Sequence, residues 1–291
     1  MRTTPLVPDE PEGPLIVEGS AERDEVIALF ERHGVLLFRG FDLDPRAVVA
    51  FTSRFAEQFA PDAIWRERRF GEHTIHTVNS GSYGIALHSE ASFGAAWPEI
   101  IFFYCSVPPL RGGATTLCDG VTLFQRLSRP TQRLFTARPL KYDIALQGHK
   151  TAVGGDIDWP VVAPGVSGVW DRTNGIYRLT VIRYAVHEIR LRSKYSFCNY
   201  VLIGTKHDEI KSITFADGAT IPDDALAEVR TVAEQATIEV AWQPRDVLMI
   251  DNRRFMHGRH AFEADDVRDI SIVQVLRASF AFGATTRKAL G

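Results

Sequence analysis

The chain has 291 residues, 45% of them hydrophobic and 24% charged, which is a globular composition and not that of a disordered or fibrous chain. Its 33 basic and 36 acidic residues leave a net charge of −3, and no tract of clustered Lys/Arg supplies the footprint of a nucleic-acid binder. Cys105, Cys118 and Cys198 lack a CxxC spacing, no apolar run reaches membrane-spanning length, and the Pro- and Glu-rich start has no signal-peptide core, so a cytoplasmic protein without a disulfide framework is expected.

In chain order, "SAERDEVIALFERHG" predicts a helix capped by Ser20, with Val26, Leu29 and Phe30 on one face and Gly34 as its stop. "GVLLFRGF" follows as a buried strand. "DPRAVVAFTSRFAEQF" opens with Asp44 as cap and Pro45 at the first helical position, then repeats Val48, Phe51, Phe55 and Phe59 at helical spacing. From residue 73 strands dominate: "HTIHTV", "IIFFYCSV", "KYDIAL", "IYRLTVIRYAV", "ATIEVAW", "DVLMID" and "DISIVQVLRASF". Helices interrupt them at 121–135 and in "IPDDALAEVRTVAEQ". The Gly148–Gly175 stretch, rich in Gly, Pro and Asp, is expected to be a loop excursion that covers a site and selects substrate. With many strands and no β-α alternation, a sandwich or barrel is expected, as one domain over 1–291.

"ALHSEASFGAAWPEIIFFYCSVPPLRGGATTLCDG" (86–120) carries the first candidate chemistry. If 87–90 is extended, His88 and Glu90 project to the same face. An ionised carboxylate facing a core is costly without a partner, and a metal ion would supply one. Two ligands from one strand and a distant histidine make the facial triad of non-haem Fe(II) oxygenases. A hydrogen-bonded His88 with Glu90 in a surface salt bridge satisfies the same HxE.

A second block, "DVLMIDNRRFMHGRHAFEADDVRDISIVQVLRASF", places His257-Gly258-Arg259 after a buried strand and Arg268 before another. Together the two blocks resemble the TauD/TfdA-like Fe(II)- and 2-oxoglutarate-dependent dioxygenases, in which an HxD or HxE strand precedes a "GG-x-T" turn and a later "DN…HGR…R" block. The resemblance implies a double-stranded β-helix (a jelly roll with helices outside). It implies catalytic iron ligands His88, Glu90 and His257, and Thr115 and Arg268 as contacts to the 2-oxoglutarate carboxylate, with Fe(II), 2-oxoglutarate and O2 used on an unactivated C–H. A guanidinium suits the carboxylate role because it meets a carboxylate through two parallel charge-assisted hydrogen bonds. The HxE form, Trp97-Pro98 and "FFYC" look most like the amino-acid-hydroxylating branch that includes SyrP-like aspartyl hydroxylases. That likeness implies a small-molecule substrate of secondary metabolism, free or tethered to a carrier protein. Three positions depart from the family pattern: Arg245 stands for the usual Gly, Ala114 lies within the GG-x-T turn, and Ile272 occupies the place of a further arginine that grips sulfonates.

Alternatives from other classes are a catalytically silent metal-binding jelly roll and a zinc hydrolase on the same triad, neither of which needs Arg268. Among competing residues, His73 and His76 fall on opposite faces of a strand. His260 would spoil the spacing to Arg268. Phe93 can touch substrate or pack in the core. Arg259 is expected in a structural ion pair and "RRF" (253–255) in a solvated turn. The cysteines are expected to be buried small hydrophobes.

Overall fold

The computed structural model describes residues 1–60, 66–79, 81–94, 96–147, 165–189, 194–206 and 209–280. Its centre is the strand Ile100–Val107, whose first six residues are all buried. Such a strand shows no apolar-polar alternation because both of its faces are covered. It lies in an eight-stranded sheet ordered Arg2–Pro5, Leu15–Glu18, Val35–Arg39, Val247–Asp251, Ile100–Val107, Asp269–Ala278 and Ala56–Phe59, with Ile75–Thr77 also paired to Asp269–Ala278. Every pairing in it is antiparallel except that of Leu15–Glu18 with Val35–Arg39.

One face of this large sheet packs Leu36, Phe38, Phe102, Tyr104, Met249 and Val273 against Val26 and Phe30 of one helix and Val48 and Phe51 of the next. The opposite face turns Leu37, Ile101, Phe103, Leu248, Ile250 and Ile272 inward against Leu117, Val240 and Phe255 of a small sheet. The small sheet runs Thr237–Val240, Thr115–Asp119, Phe255–Arg259, Ile85–His88. These two facing sheets, with helices outside, form a double-stranded β-helix, so the fold class expected from the sequence holds. A third cluster lies behind the small sheet, where Cys118 and Met256 meet helices and the sheet of Val166–Asp171, Ile176–Arg183, Leu140–Gln147 and Ile210–Phe215. Among the described residues, no helix is long and apolar enough to cross a membrane.

Several local expectations are corrected. The first helix, Arg23–His33, is capped by Glu22 and not Ser20, through a reciprocal capping box with Glu25; Gly34 ends it in the left-handed conformation as expected. Asp44 caps Pro45–Ser53, its carboxylate accepting from the Ala47 N–H at 2.8 Å, but the helix stops at Ser53. The segment Ala56–Phe59 instead joins the edge of the large sheet, so Phe59 lies on a strand. The helix expected at 121–135 is two, Gly120–Arg126 and Arg129–Ala137, because Ser128 starts a new cap with Pro130 in the first turn. Of the expected loop Gly148–Gly175, residues 148–164 lie outside the described residues. Val166–Asp171 is a strand that forms a hairpin with Ile176–Arg183.

Candidate active site

The antiparallel ladder of the small sheet sets His257 directly opposite His88. The His257 ring meets Phe103 of the large sheet edge-on at 5.2 Å, so the pair faces the space between the sheets. The two imidazole centroids are 4.5 Å apart. His88 Nδ1 lies 2.9 Å from the Ala86 carbonyl, which makes Nδ1 the donor and leaves Nε2 to face Glu90. Burial, and then the neighbouring His88, push His257 down to about 4, so at neutral pH its ring is uncharged, the form in which imidazole binds a metal.

Glu90 reaches the pair by a different route from the one its spacing suggests. The strand ends at His88, and Glu90 sits in the following turn, where Ala91 has φ 53°. What fixes the turn is buried Asn252. Its Oδ1 accepts from the Glu90 N–H at 2.8 Å, and its Nδ2 donates to the Glu90 carbonyl at 3.0 Å and the Pro98 carbonyl at 2.9 Å. Ser89 Oγ donates to the Asn252 carbonyl at 2.6 Å and accepts from Trp97 Nε1 at 2.8 Å.

Glu90 Oε2 lies 3.7 Å from His88 Nε2 and 3.6 Å from His257 Nε2. These separations are too long for hydrogen bonds. Its other oxygen, Oε1, pairs with Arg66 Nη2 at 3.0 Å. Burial raises the Glu90 pKa, but the Arg66 charge and the two histidines outweigh it and hold the carboxyl well below the usual range. Two imidazole nitrogens and one carboxylate oxygen, all within 4.8 Å, are the donor set of a two-histidine, one-carboxylate metal centre. The residues therefore fit the metal. Beside them Tyr200 stands edge-on to His88 at 5.2 Å and Phe93 edge-on to Tyr200 at 4.5 Å, forming an aromatic wall.

Thr115 lies on the strand opposite, two residues along from Leu117, which pairs with His257. At about 3.3 Å per residue, that places it about 7 Å along the ladder from the histidine level. Gly112 and Gly113 have φ 74° and 66°, and a Cβ on Gly112 would meet the Ala261 carbonyl oxygen at 2.4 Å. The turn they make brings the Gly113 carbonyl to Arg268 Nε at 2.9 Å. Arg268 Nη2 donates to Thr115 Oγ1 at 3.1 Å, and Trp242 Nε1 donates to the same oxygen at 3.0 Å. With both acceptor positions filled, the hydroxyl has only its O–H left to offer, and that suits an anion. Among the described residues Arg268 has no carboxylate partner, and burial, then the nearby Arg259, push its pKa down to about 10.

A family model described as "Taurine catabolism dioxygenase TauD, TfdA family" matches residues 4–275. The chain belongs to this family. Among curated relatives, the dapdiamide synthesis protein DdaC of Enterobacter agglomerans is 22% identical over 86% of this chain and 84% of its own. The 3-((Z)-2-isocyanoethenyl)-1H-indole synthase of Fischerella ambigua is 21% identical over 87% of this chain and 86% of its own. Among solved structures, AAD-2 in complex with Mn(II) and N-oxalylglycine superposes with a TM-score of 0.65 at 17% identity, covering 97% of this chain and 98% of that one. The chain is thus a TauD/TfdA dioxygenase in fold and family, with iron and 2-oxoglutarate as the family's cofactor and co-substrate.

The features that set this TauD/TfdA chain apart have structural accounts. Arg245, in the place of the usual glycine, has φ 68°, a conformation glycine adopts without strain. Ile272 is buried among the apolar side chains between the sheets. Among the described residues Arg259 is in no ion pair: it donates to the backbone carbonyls of Asn79, Gly81 and Tyr83, which corrects the expectation. Arg253-Arg254-Phe255 is no solvated turn either. Arg253 reaches Glu99, Arg254 pairs with Asp119 at 2.8 Å, and Phe255 is buried. His260 pairs with Glu239 at the surface, exposed His73 and buried His76 lie outside the histidine–glutamate cluster, and all three cysteines are buried free thiols. Sequence reasoning missed Arg66, Asn252, Tyr200 and Trp242 as parts of the site. Asn252 stood inside the "DN" motif, whereas the other three carried no local signal.

Proposed function

We propose that His88, Glu90 and His257 hold ferrous iron, that Thr115 and Arg268 hold the distal carboxylate of 2-oxoglutarate, and that residues 1–291 work as one catalytic domain. The domain oxidises an unactivated C–H of a small molecule, an amino acid or a compound derived from one. The observation that carries this reading is the hydrogen bond from half-buried Arg268 to buried Thr115, which offers donors and positive charge with no acidic partner among the described residues, Thr115 lying on the same face of the small sheet as His257. A zinc hydrolase or a silent metal binder on the same three ligands would leave Arg268 without a task.

When bound, iron with 2-oxoglutarate and O2 supplies the oxidation: one oxygen atom goes to the substrate C–H, the other to succinate, and CO2 leaves. The chain's own residues orient and exclude. The Ala86 carbonyl sets the His88 tautomer, so Nε2 is the ligand atom. Arg268 and Thr115 fix one end of the co-substrate through charge-assisted hydrogen bonds. Phe93 and Tyr200 form the apolar wall against which the substrate's reacting carbon is placed, keeping water from the oxidant. Two curated relatives, named for dapdiamide synthesis and for an indole isonitrile, support a substrate of secondary metabolism.

The test is an anaerobic titration of apo protein with Fe(II) and then 2-oxoglutarate, following the visible charge-transfer band of keto-acid chelation. Wild type is expected to develop the band, Glu90→Ala to lose tight iron binding, and Arg268→Ala to need at least about 30-fold more 2-oxoglutarate. That factor corresponds to the roughly 2–5 kcal/mol lost when one partner of a buried charge pair is removed. Iron binding without any band would overturn the co-substrate assignment. Turnover of free amino acids compared with the same aminoacyl groups on a carrier protein then decides how substrate arrives.

A further inference from the structure

The two oxygens of Glu90 have different surroundings. Oε2 faces both histidine Nε2 atoms, while Oε1 is taken by Arg66 Nη2 at 3.0 Å. The Arg66 guanidinium is itself tethered, with Nη1 donating to the Thr77 carbonyl at 3.1 Å. Thr77 belongs to Ile75–Thr77, which is paired to Asp269–Ala278 of the large sheet. The side chains of Arg66 and Glu90 are only 14% and 13% exposed, so little water competes for the contact.

We propose that Arg66 is a positioning residue that makes Glu90 a one-oxygen ligand. This rests on the iron-site reading above. A carboxylate beside a metal can bind through one oxygen or chelate through both, and chelation would use a coordination position. The chemistry needs three positions open beyond the three protein ligands. Asn252 fixes the Glu90 backbone and Arg66 fixes Oε1, so Oε2 alone remains to be offered. The contact also joins the two sheets: a ligand carried on a turn of the small sheet is aligned by a residue anchored to the large one. Groups that hydrogen-bond a metal ligand typically change metal affinity or activity by about 10–100-fold when removed.

Arg66→Met and Arg66→Lys separate positioning from packing. Each is titrated anaerobically with Fe(II) and 2-oxoglutarate, and the visible spectrum of the Co(II)-loaded protein is recorded as a report on coordination. In Arg66→Met, we expect Fe(II) to bind at least as tightly as in wild type. The 2-oxoglutarate requirement is expected to rise about tenfold or more, and the charge-transfer and Co(II) bands to shift, because the second carboxylate oxygen now competes for a position. Lys can supply the one N–H that Glu90 uses, so Arg66→Lys is expected to return both bands toward wild type. If Arg66→Met does not fold, Arg66→Gln, too short to reach Oε1, takes its place. Bands and 2-oxoglutarate requirement unchanged in the Met or Gln variant would overturn the proposal, as would equal shifts in the Met and Lys variants. A wild type that never shows the band would instead sink the iron and 2-oxoglutarate reading itself.

Discussion

Asn252→Ala should separate the turn that carries Glu90 from the sheet that carries the histidines. The wild-type side chain makes three hydrogen bonds to backbone, with the Glu90 N–H, the Glu90 carbonyl and the Pro98 carbonyl, at 2.8, 3.0 and 2.9 Å. Asn252 is fully buried, so truncation strands the buried Pro98 carbonyl and leaves the two half-buried Glu90 backbone groups without their partner. A buried polar group left unpaired costs about 1–3 kcal/mol, which puts the loss at about 3–6 kcal/mol after partial relaxation. For a chain of this size, each kcal/mol lowers the melting temperature by roughly 2–4 °C, so a fall on the order of 10 °C is expected by calorimetry. Iron affinity, measured in the same preparation, should drop about 10–100-fold, because Glu90 loses its fixed backbone. Asn252→Asp keeps the acceptor but turns a carboxylate toward two carbonyls, and should be no better. A melting temperature within 2 °C of wild type, with unchanged iron affinity, would show that the turn holds itself and that the reasoning is wrong.

Gly258→Ala tests the closeness of the two histidine strands. A Cβ there would lie 2.6 Å from the Ile85 carbonyl oxygen and 2.8 Å from Thr116 Oγ1, so a loss of about 1–3 kcal/mol by denaturant unfolding, with weaker iron binding, is expected; a neutral result would refute the tight approach. Three buried groups with large shifts lead the pH dependence of stability without added metal, and buried His33, pushed down by burial, acts in the same sense as the other histidines. His187 and His257 are pushed down to about 4, mainly by burial, so between about pH 6.5 and 4 the unfolded chain takes up protons that the native chain refuses, and stability falls as pH falls. Asp251, raised to about 6 by burial, acts in the opposite sense: its contribution is present at low pH and is lost as pH rises through about 6. Two histidines outweigh one aspartate, so the urea midpoint should drop between pH 7 and pH 5, and His187→Gln should flatten that slope; an unchanged slope would show that His187 is not the source.

The metal-capable trio was legible in the sequence, but the reason it comes together was not. His88-x-Glu90 reads as two residues on one face of a strand, whereas the structure ends the strand at His88 and brings Glu90 back on a turn held by Asn252. Thr115 and Arg268 were named through the family resemblance, from the double-glycine turn and the arginine before the last strand, and the structure joins them by a hydrogen bond at 3.1 Å. Arg66, Tyr200 and Trp242 reach the site from segments far away in sequence, and nothing in their own neighbourhoods marks them. The phenylalanine series 51, 55, 59 shows how periodicity overruns: Phe51 and Phe55 are buried beside the helix, but Phe59 sits on a sheet edge that offered hydrogen bonds to the backbone. Val166–Asp171 was hidden by Gly168, where a Cβ would lie 2.4 Å from the Tyr177 hydroxyl.

The direct pairing of His88 with His257 divides the centre into two independent parts. The spacing of the two imidazoles is a property of the backbone ladder, which tolerates side-chain changes that leave the close approach at Gly258 intact. The carboxylate arm is an attachment, fastened by hydrogen bonds from Asn252 and Arg66. If the three residues hold iron as proposed, the carboxylate can be exchanged or lost, freeing a coordination position for another anion, without rebuilding the barrel that carries the two histidines.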